Sequence, residues 1–282
     1  MKRRRRNSAK TTVQAYSADR PIVSKRQDIL GRAKFAARLA DDLHNWSGDD
    51  SLVVALYGTW GSGKTSVKNL LLEANRKRRR LPLKIVDFNP WQLSGTGGIP
   101  ASFFRELGLA LGDQGPKRDV EKRAKRLKTY AGTLSVMGTT TDLVGTALQL
   151  AGVPGSTMLK NIGRGMKSAG TTAKAGSETL SAMHDAESKS LEAQKSELAE
   201  LLARLPQPLL VVIDDIDRLT TSEILQVFQL VKANADFPCL IYLLLFEREV
   251  VGKALDEVSG GKGTEFLEKI VQVGYHVPQV SR

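Results

Sequence analysis

Short apolar runs alternate with longer stretches of helical periodicity along the 282-residue chain. Leu52–Tyr57 is an unbroken apolar run after a Gly48-Asp-Asp-Ser51 turn. It suits a strand buried on both faces. Leu83–Phe88, Leu209–Ile213, Leu240–Phe246 and Val271–Val277 read as further strands. Between them, apolar residues recur at helical spacing. Ile29, Leu30, Phe35, Ala36, Leu39 and Leu43 predict a helix over 28–43, and others are predicted over 64–75, 101–111, 190–205, 247–255 and 265–270. Thr220-x-x-Glu223 is a capping box that opens a helix to about residue 235. Strand–helix alternation of this kind predicts a parallel sheet covered on both faces.

Residues 116–190 break the alternation. They are basic at first, then rich in Gly, Ala, Ser and Thr. The expected organisation is a basic, disordered arm over 1–17 and a nucleotide-binding domain in two parts, 18–115 and 191–282. A largely helical insertion over 116–190 separates the parts. The longest charge-free stretch, Leu143–Leu159, is 17 residues and holds several polar and helix-breaking positions. A spanning helix needs about 20 apolar residues, so no transmembrane span is expected. No apolar segment follows the charged start as a signal peptide requires.

Net charge is +12 and unevenly spread. Met1–Lys10 carries +6, Arg76–Arg80 +5 and Lys117–Lys128 +5, so the rest of the chain is net acidic. Such runs serve either as solvated surface or as contacts to nucleic acid or an anionic membrane. Without interleaved aromatics they lack the stacking pattern of single-strand binding. A lone cysteine, Cys239, excludes an intramolecular disulfide and reads as a small core residue. The expected location is cytoplasmic, with peripheral membrane contact as a further option. His44, His184 and His276 are too scattered for a zinc site.

The first chemical motif follows the first strand. Gly58-Thr59-Trp60-Gly61-Ser62-Gly63-Lys64-Thr65, continuing into Ser66, fits G-x-x-x-x-G-K-[ST] at every specified position. Its glycines let successive N–H groups turn inward to phosphate oxygens, and the helix that begins there aims its positive end at the same anion. Lys64 is placed to meet β- and γ-phosphates, and the Thr65 hydroxyl to coordinate Mg²⁺. Trp60 reads either as a cover over the phosphates or as an anchor of the loop in the core.

Leu209–Ile213 ends in Asp214 and Asp215. Ligands of open parallel sheets bind at the carboxyl ends of strands, where both the loop and these acids fall. Asp214 is expected to hold Mg²⁺, directly or through water, and Asp215 to polarise the attacking water. A glutamate is common at the second position, so the shorter aspartate implies slow hydrolysis or binding without turnover. Arg218 has two readings: an ion pair with Asp217, or reach to a γ-phosphate across an oligomer interface.

These stretches, in order, resemble the KAP P-loop NTPases. The resemblance is carried by Asp19–Ile22, Asp28–Arg32, Tyr57–Ser66, Asp87-Phe-Asn-Pro-Trp-Gln92, Ile213-Asp-Asp-Ile-Asp-Arg218 and Phe266–Gln272. It implies an α/β fold of the additional-strand, AAA/STAND-like class, with Mg²⁺ and ATP as ligands and Arg32, Asn89, Arg218 and Glu247 as accessory site residues. Relatives usually have aspartate at the Glu247 position and continue into a helical region beyond the last strand, and many carry a membrane hairpin where this chain has its polar insertion. The resemblance also suggests membrane-associated complexes or bacterial defence against phage and plasmids.

Three functions follow. The first is an ATPase acting as a conformational switch or motor, with self-association or a protein partner. The second is a regulatory module that holds nucleotide, ATP or GTP, with little turnover. The third is a nucleic-acid-dependent ATPase. A small-molecule kinase is weaker still, since no acceptor pocket can be read.

Overall fold

The computed structural model describes residues 20–48, 50–78, 81–93, 98–112, 117–137 and 190–279. The arm over 1–17, Asp49, Arg79, Arg80, residues 94–97 and 113–116, and residues 138–189 of the expected insertion lie outside the described residues.

Five strands form one sheet: β1 (Leu52–Tyr57), β2 (Lys84–Phe88), β3 (Leu209–Ile213), β4 (Leu240–Phe246) and β5 (Val273–His276). Their order is β2-β3-β4-β1-β5, and every pairing is parallel. β4 therefore lies between the strand that feeds the glycine loop and the strand that ends in the acids. That intervening strand is the additional strand of the expected class. β3 and β4 are buried along their whole length, as unbroken apolar runs require when both faces are covered.

Two apolar cores flank the sheet. On one face, α1 (Ala33–Asn45) and α2 (Lys64–Arg76) pack on Val54, Leu56, Leu210, Val212, Ile241 and Leu243. On the other lie α3 (Ile99–Leu111), α4 (Lys117–Met137), α5 (residues 190–202), α6 (Thr221–Gln229), α7 (Arg248–Ser259) and α8 (Gly263–Ile270). Aromatic edges knit this second core. Phe104 meets Tyr130 of α4 at 5.2 Å and 88°, and Phe103 meets Phe88 at 5.5 Å and 82°. Such edge-to-face pairs are a favoured geometry of ring quadrupoles.

Several boundaries differ from the periodicity reading. The helix expected from Asp28 begins at Ala33, because the Asp28 carboxylate accepts the Arg32 and Ala33 N–H groups (3.1 and 2.7 Å) and ends the preceding turn. Ile29 and Leu30 consequently lie outside the core, Ile29 being 93% exposed. The Thr220–Glu223 capping box forms as expected, but α6 ends at Gln229 and a π-helical turn, Leu230–Asn234, follows. The buried Tyr242 hydroxyl donates to Ala235 O (2.6 Å) at the end of that turn. Cys239 is only half-buried, since it forms the turn before β4 with φ of 61°, and its carbonyl accepts the Leu209 N–H.

Among the described residues no helix is long and apolar enough to cross a membrane.

Candidate nucleotide site

The loop 58–63 leaves β1 and enters α2, so the first N–H groups of α2 open onto it without intrahelical acceptors. Gly63 has φ of 91°, a left-handed conformation that glycine adopts without a Cβ penalty. Gly58 leaves no room for a side chain: a Cβ there would lie 2.4 Å from Ser62 Oγ. Lys64 folds back over the loop. Its ammonium donates to Gly58 O (2.9 Å) and lies 3.4 Å from Asp217 Oδ2.

The acids arrive from β3. Asp214 is 3% exposed. Its Oδ2 accepts the Thr65 hydroxyl at 3.4 Å, and its Oδ1 accepts the Asp215 N–H at 2.9 Å. Asp215 has φ of 60°. That left-handed turn is tolerated by aspartate, and its carboxylate has partners of its own. It meets the Asn89 amide at 2.9 Å and Arg218 Nε at 2.9 Å. Arg218 thus pairs with Asp215 and not with Asp217, because the 3₁₀ turn Ile216–Arg218 puts it one turn after Asp215. Its guanidinium also lies 5.2 Å from the Trp91 ring centre.

The other predicted residues take supporting places. Arg32 Nη1 donates to Ser62 O at 2.5 Å, and the Glu247 carboxylate accepts the Trp60 N–H at 3.0 Å. Ser66 Oγ accepts the Ile22 N–H, and Asn69 donates to Ile22 O, so the segment before α1 is clamped along α2. The Trp60 side chain is 82% exposed, which overturns its reading as a core anchor. Thr59 and Gly61 line the loop rim. Above the loop lies a cleft of about 860 Å³. It runs from Lys64, Thr65 and Asp214 to an apolar rim that includes Ile22, Ile29, Leu30 and Val250.

Lys68 escaped the sequence reading. It lies one turn beyond Lys64, nine-tenths buried, with its ammonium 3.0 Å from Asp214 Oδ2 and 3.4 Å from Asp87 Oδ1. Burial disfavours its charged form, but the two carboxylates outweigh burial and raise its pKa. The available signal was a second lysine four positions after Lys64, beside the buried Val67, Leu70 and Leu71.

Oxygen donors that meet at Thr65 and Asp214 suit Mg²⁺, which keeps phosphate and water among its ligands. Among the described residues no group of three or more His, Cys, Asp or Glu is arranged to hold a metal.

The basic stretches are partly neutralised where described. Lys77 pairs with Glu73, Arg78 with Asp41 and Arg126 with Glu197. Arg118, Lys122, Lys125 and Lys128 stand exposed along α4.

The sequence was compared with known proteins. Over 263 residues it is 26% identical to the phage T7 exclusion protein of Escherichia coli strain K12, an alignment covering 90% of this chain and 34% of that protein. The chain thus spans about a third of that relative's length. Residues 32–282 match the KAP family P-loop domain. With a glycine loop and an acid-tipped strand separated by β4 in one parallel sheet, the chain belongs to the KAP family of P-loop NTPases.

Proposed function

We propose that the chain binds Mg²⁺–ATP in the cleft above Gly58–Thr65 and hydrolyses it slowly, using the cycle as a conformational switch within a larger assembly. The observation that carries this is the meeting of Thr65 and Asp214, from distant parts of the chain, beside the open N-terminus of α2.

The residues divide the work. N–H groups of residues 61–66 cradle the phosphates, and the α2 dipole favours the negative charge. Lys64 exchanges its contacts with Gly58 O and Asp217 for the β- and γ-phosphates. Thr65 and Asp214 would hold the metal, the hydroxyl directly and the carboxylate directly or through water. Bound Mg²⁺ would neutralise charge on the β- and γ-oxygens. Asp215 orients the attacking water once Asn89 and Arg218 release it. Arg32 and Glu247 keep the loop in shape, and the apolar rim takes the base.

A second reading is a module that holds ATP with little turnover. Its support is Asp215, a short acid engaged by two partners. Steady-state phosphate release separates the two readings. Turnover that Lys64→Ala abolishes supports the ATPase, whereas tight ATP binding with negligible release supports the module. ATP affinity unchanged by Lys64→Ala defeats both.

The relative's name concerns exclusion of a phage, and a defence role for this chain is proposed on that likeness. Loss of phage restriction in cells carrying Lys64→Ala is the expected outcome. Restriction undiminished in those cells counts against the role.

A further inference from the structure

The helix leaving the phosphate loop carries two lysines one turn apart, and both are nine-tenths buried. Like charges at i and i+4 repel, and a buried ammonium needs paired anions. The two find different ones. Lys64 faces Asp217, whereas Lys68 lies between the ends of β2 and β3, against Asp87 and Asp214.

Lys68 bears on the oxygen that matters most. Asp214 Oδ2 has Lys68 Nζ at 3.0 Å and the Thr65 hydroxyl at 3.4 Å, and Oδ1 holds the Asp215 N–H. The carboxylate is thus aimed at Thr65 by groups of the chain itself, and a cation already rests against it. Asp87 Oδ1 shares the same ammonium from a half-exposed position. Without Lys68, two carboxylates on neighbouring strand ends would share one site unneutralised. Such a pair attracts a hard divalent cation.

Resting on the assignment of Asp214 as the metal-holding acid, we propose that Lys68 is a resident counter-cation of Asp214, which orients that carboxylate and keeps divalent metal out until a triphosphate brings it. A free metal meets a carboxylate already neutralised and must shed water for little gain. A metal carried by triphosphate brings its own anionic ligands and needs Thr65 and Asp214 only to complete its shell. Lys68 is therefore a positioning residue that acts through Asp214.

The test is Mn²⁺ binding followed by electron paramagnetic resonance, with and without a non-hydrolysable ATP analogue. The unsubstituted chain should take up Mn²⁺ only with the analogue. Lys68→Met should bind Mn²⁺ without nucleotide, with affinity raised about tenfold or more, the scale of effects from partners of metal ligands. Lys68→Arg should restore the unsubstituted behaviour, and adding Asp87→Asn to Lys68→Met should reduce the gained affinity. If Lys68→Met does not fold, Lys68→Gln takes its place with the same expectation. A folded Lys68→Met or Lys68→Gln variant with unchanged nucleotide-free Mn²⁺ affinity overturns the proposal and leaves the nucleotide site standing. An unsubstituted chain that binds no Mn²⁺ even with the analogue overturns both.

Discussion

The Asn89 side-chain amide donates to Asp215 Oδ2 at 2.9 Å, tying the end of β2 to the acid that follows β3. Arg218 holds the other oxygen of the same carboxylate. Asp215 is therefore restrained on two sides, in a left-handed backbone turn that fixes its direction. On the proposed reading, Asn89→Ala should loosen the acid and raise basal phosphate release several-fold, with ATP affinity unchanged. Asp215→Asn should lower release by about 10²–10⁴, the range for losing a positioned acid–base group. Release rates insensitive to both changes would remove Asp215 from the chemistry.

Gly63→Ala combines two penalties. Its φ of 91° disfavours any Cβ, and that Cβ would lie 2.5 Å from Arg32 Nη1, which holds Ser62 O. The left-handed conformation alone costs about 1–2 kcal/mol. We expect a lower melting temperature and ATP affinity weakened beyond tenfold, measured by calorimetry. An alanine variant with normal affinity would show that the loop adopts another shape when it binds.

Tyr242 offers a test remote from the site. Its hydroxyl is fully buried and donates to Ala235 O at 2.6 Å, where the π-helical turn ends. Tyr242→Phe leaves that carbonyl with the Phe237 N–H at 3.0 Å as its remaining donor, so the loss should cost about 0.5–1.5 kcal/mol in urea unfolding, the net worth of one hydrogen bond. Nucleotide affinity should be retained. A cost near zero would mean that the Phe237 N–H alone satisfies the carbonyl.

His44 links stability to pH. Burial, then the charge of Arg78, lower its pKa from the ordinary 6.5, against a weaker opposing pull from Asp41. A lowered folded-state value means that the unfolded chain binds the proton more readily. Stability from this group is thus full above 6.5 and declines as pH falls through that value towards the folded one. The effect should be small and should vanish in His44→Gln, seen as a flatter melting-temperature profile on the acid side. An unchanged acid slope in that variant would assign the dependence elsewhere.

Much of the site was legible because its signals are local. Glycines at 58, 61 and 63, followed by Lys64 and Thr65, prescribe a loop and a helix start within one stretch. An apolar run ending in Asp214 and Asp215 marks a strand end for the same reason. The partners of the charges were not legible. Lys68 reads as one more helix-surface lysine until Asp87 and Asp214 arrive beside it, and Arg218 has three acids within reach along the chain.

By itself the sequence determined the order of strands and helices, that the sheet is parallel, and that a glycine loop joins β1 to α2. Those properties follow from periodicity and backbone freedom over a few residues. Tertiary structure alone decided that β4 sits between the loop strand and the acid strand, that Ile29 and Leu30 edge the cleft instead of filling the core, and that Lys68 rests on Asp214. Each of those depends on distances between groups remote along the chain. The fold sets such distances by burying its apolar faces, and no local pattern encodes them.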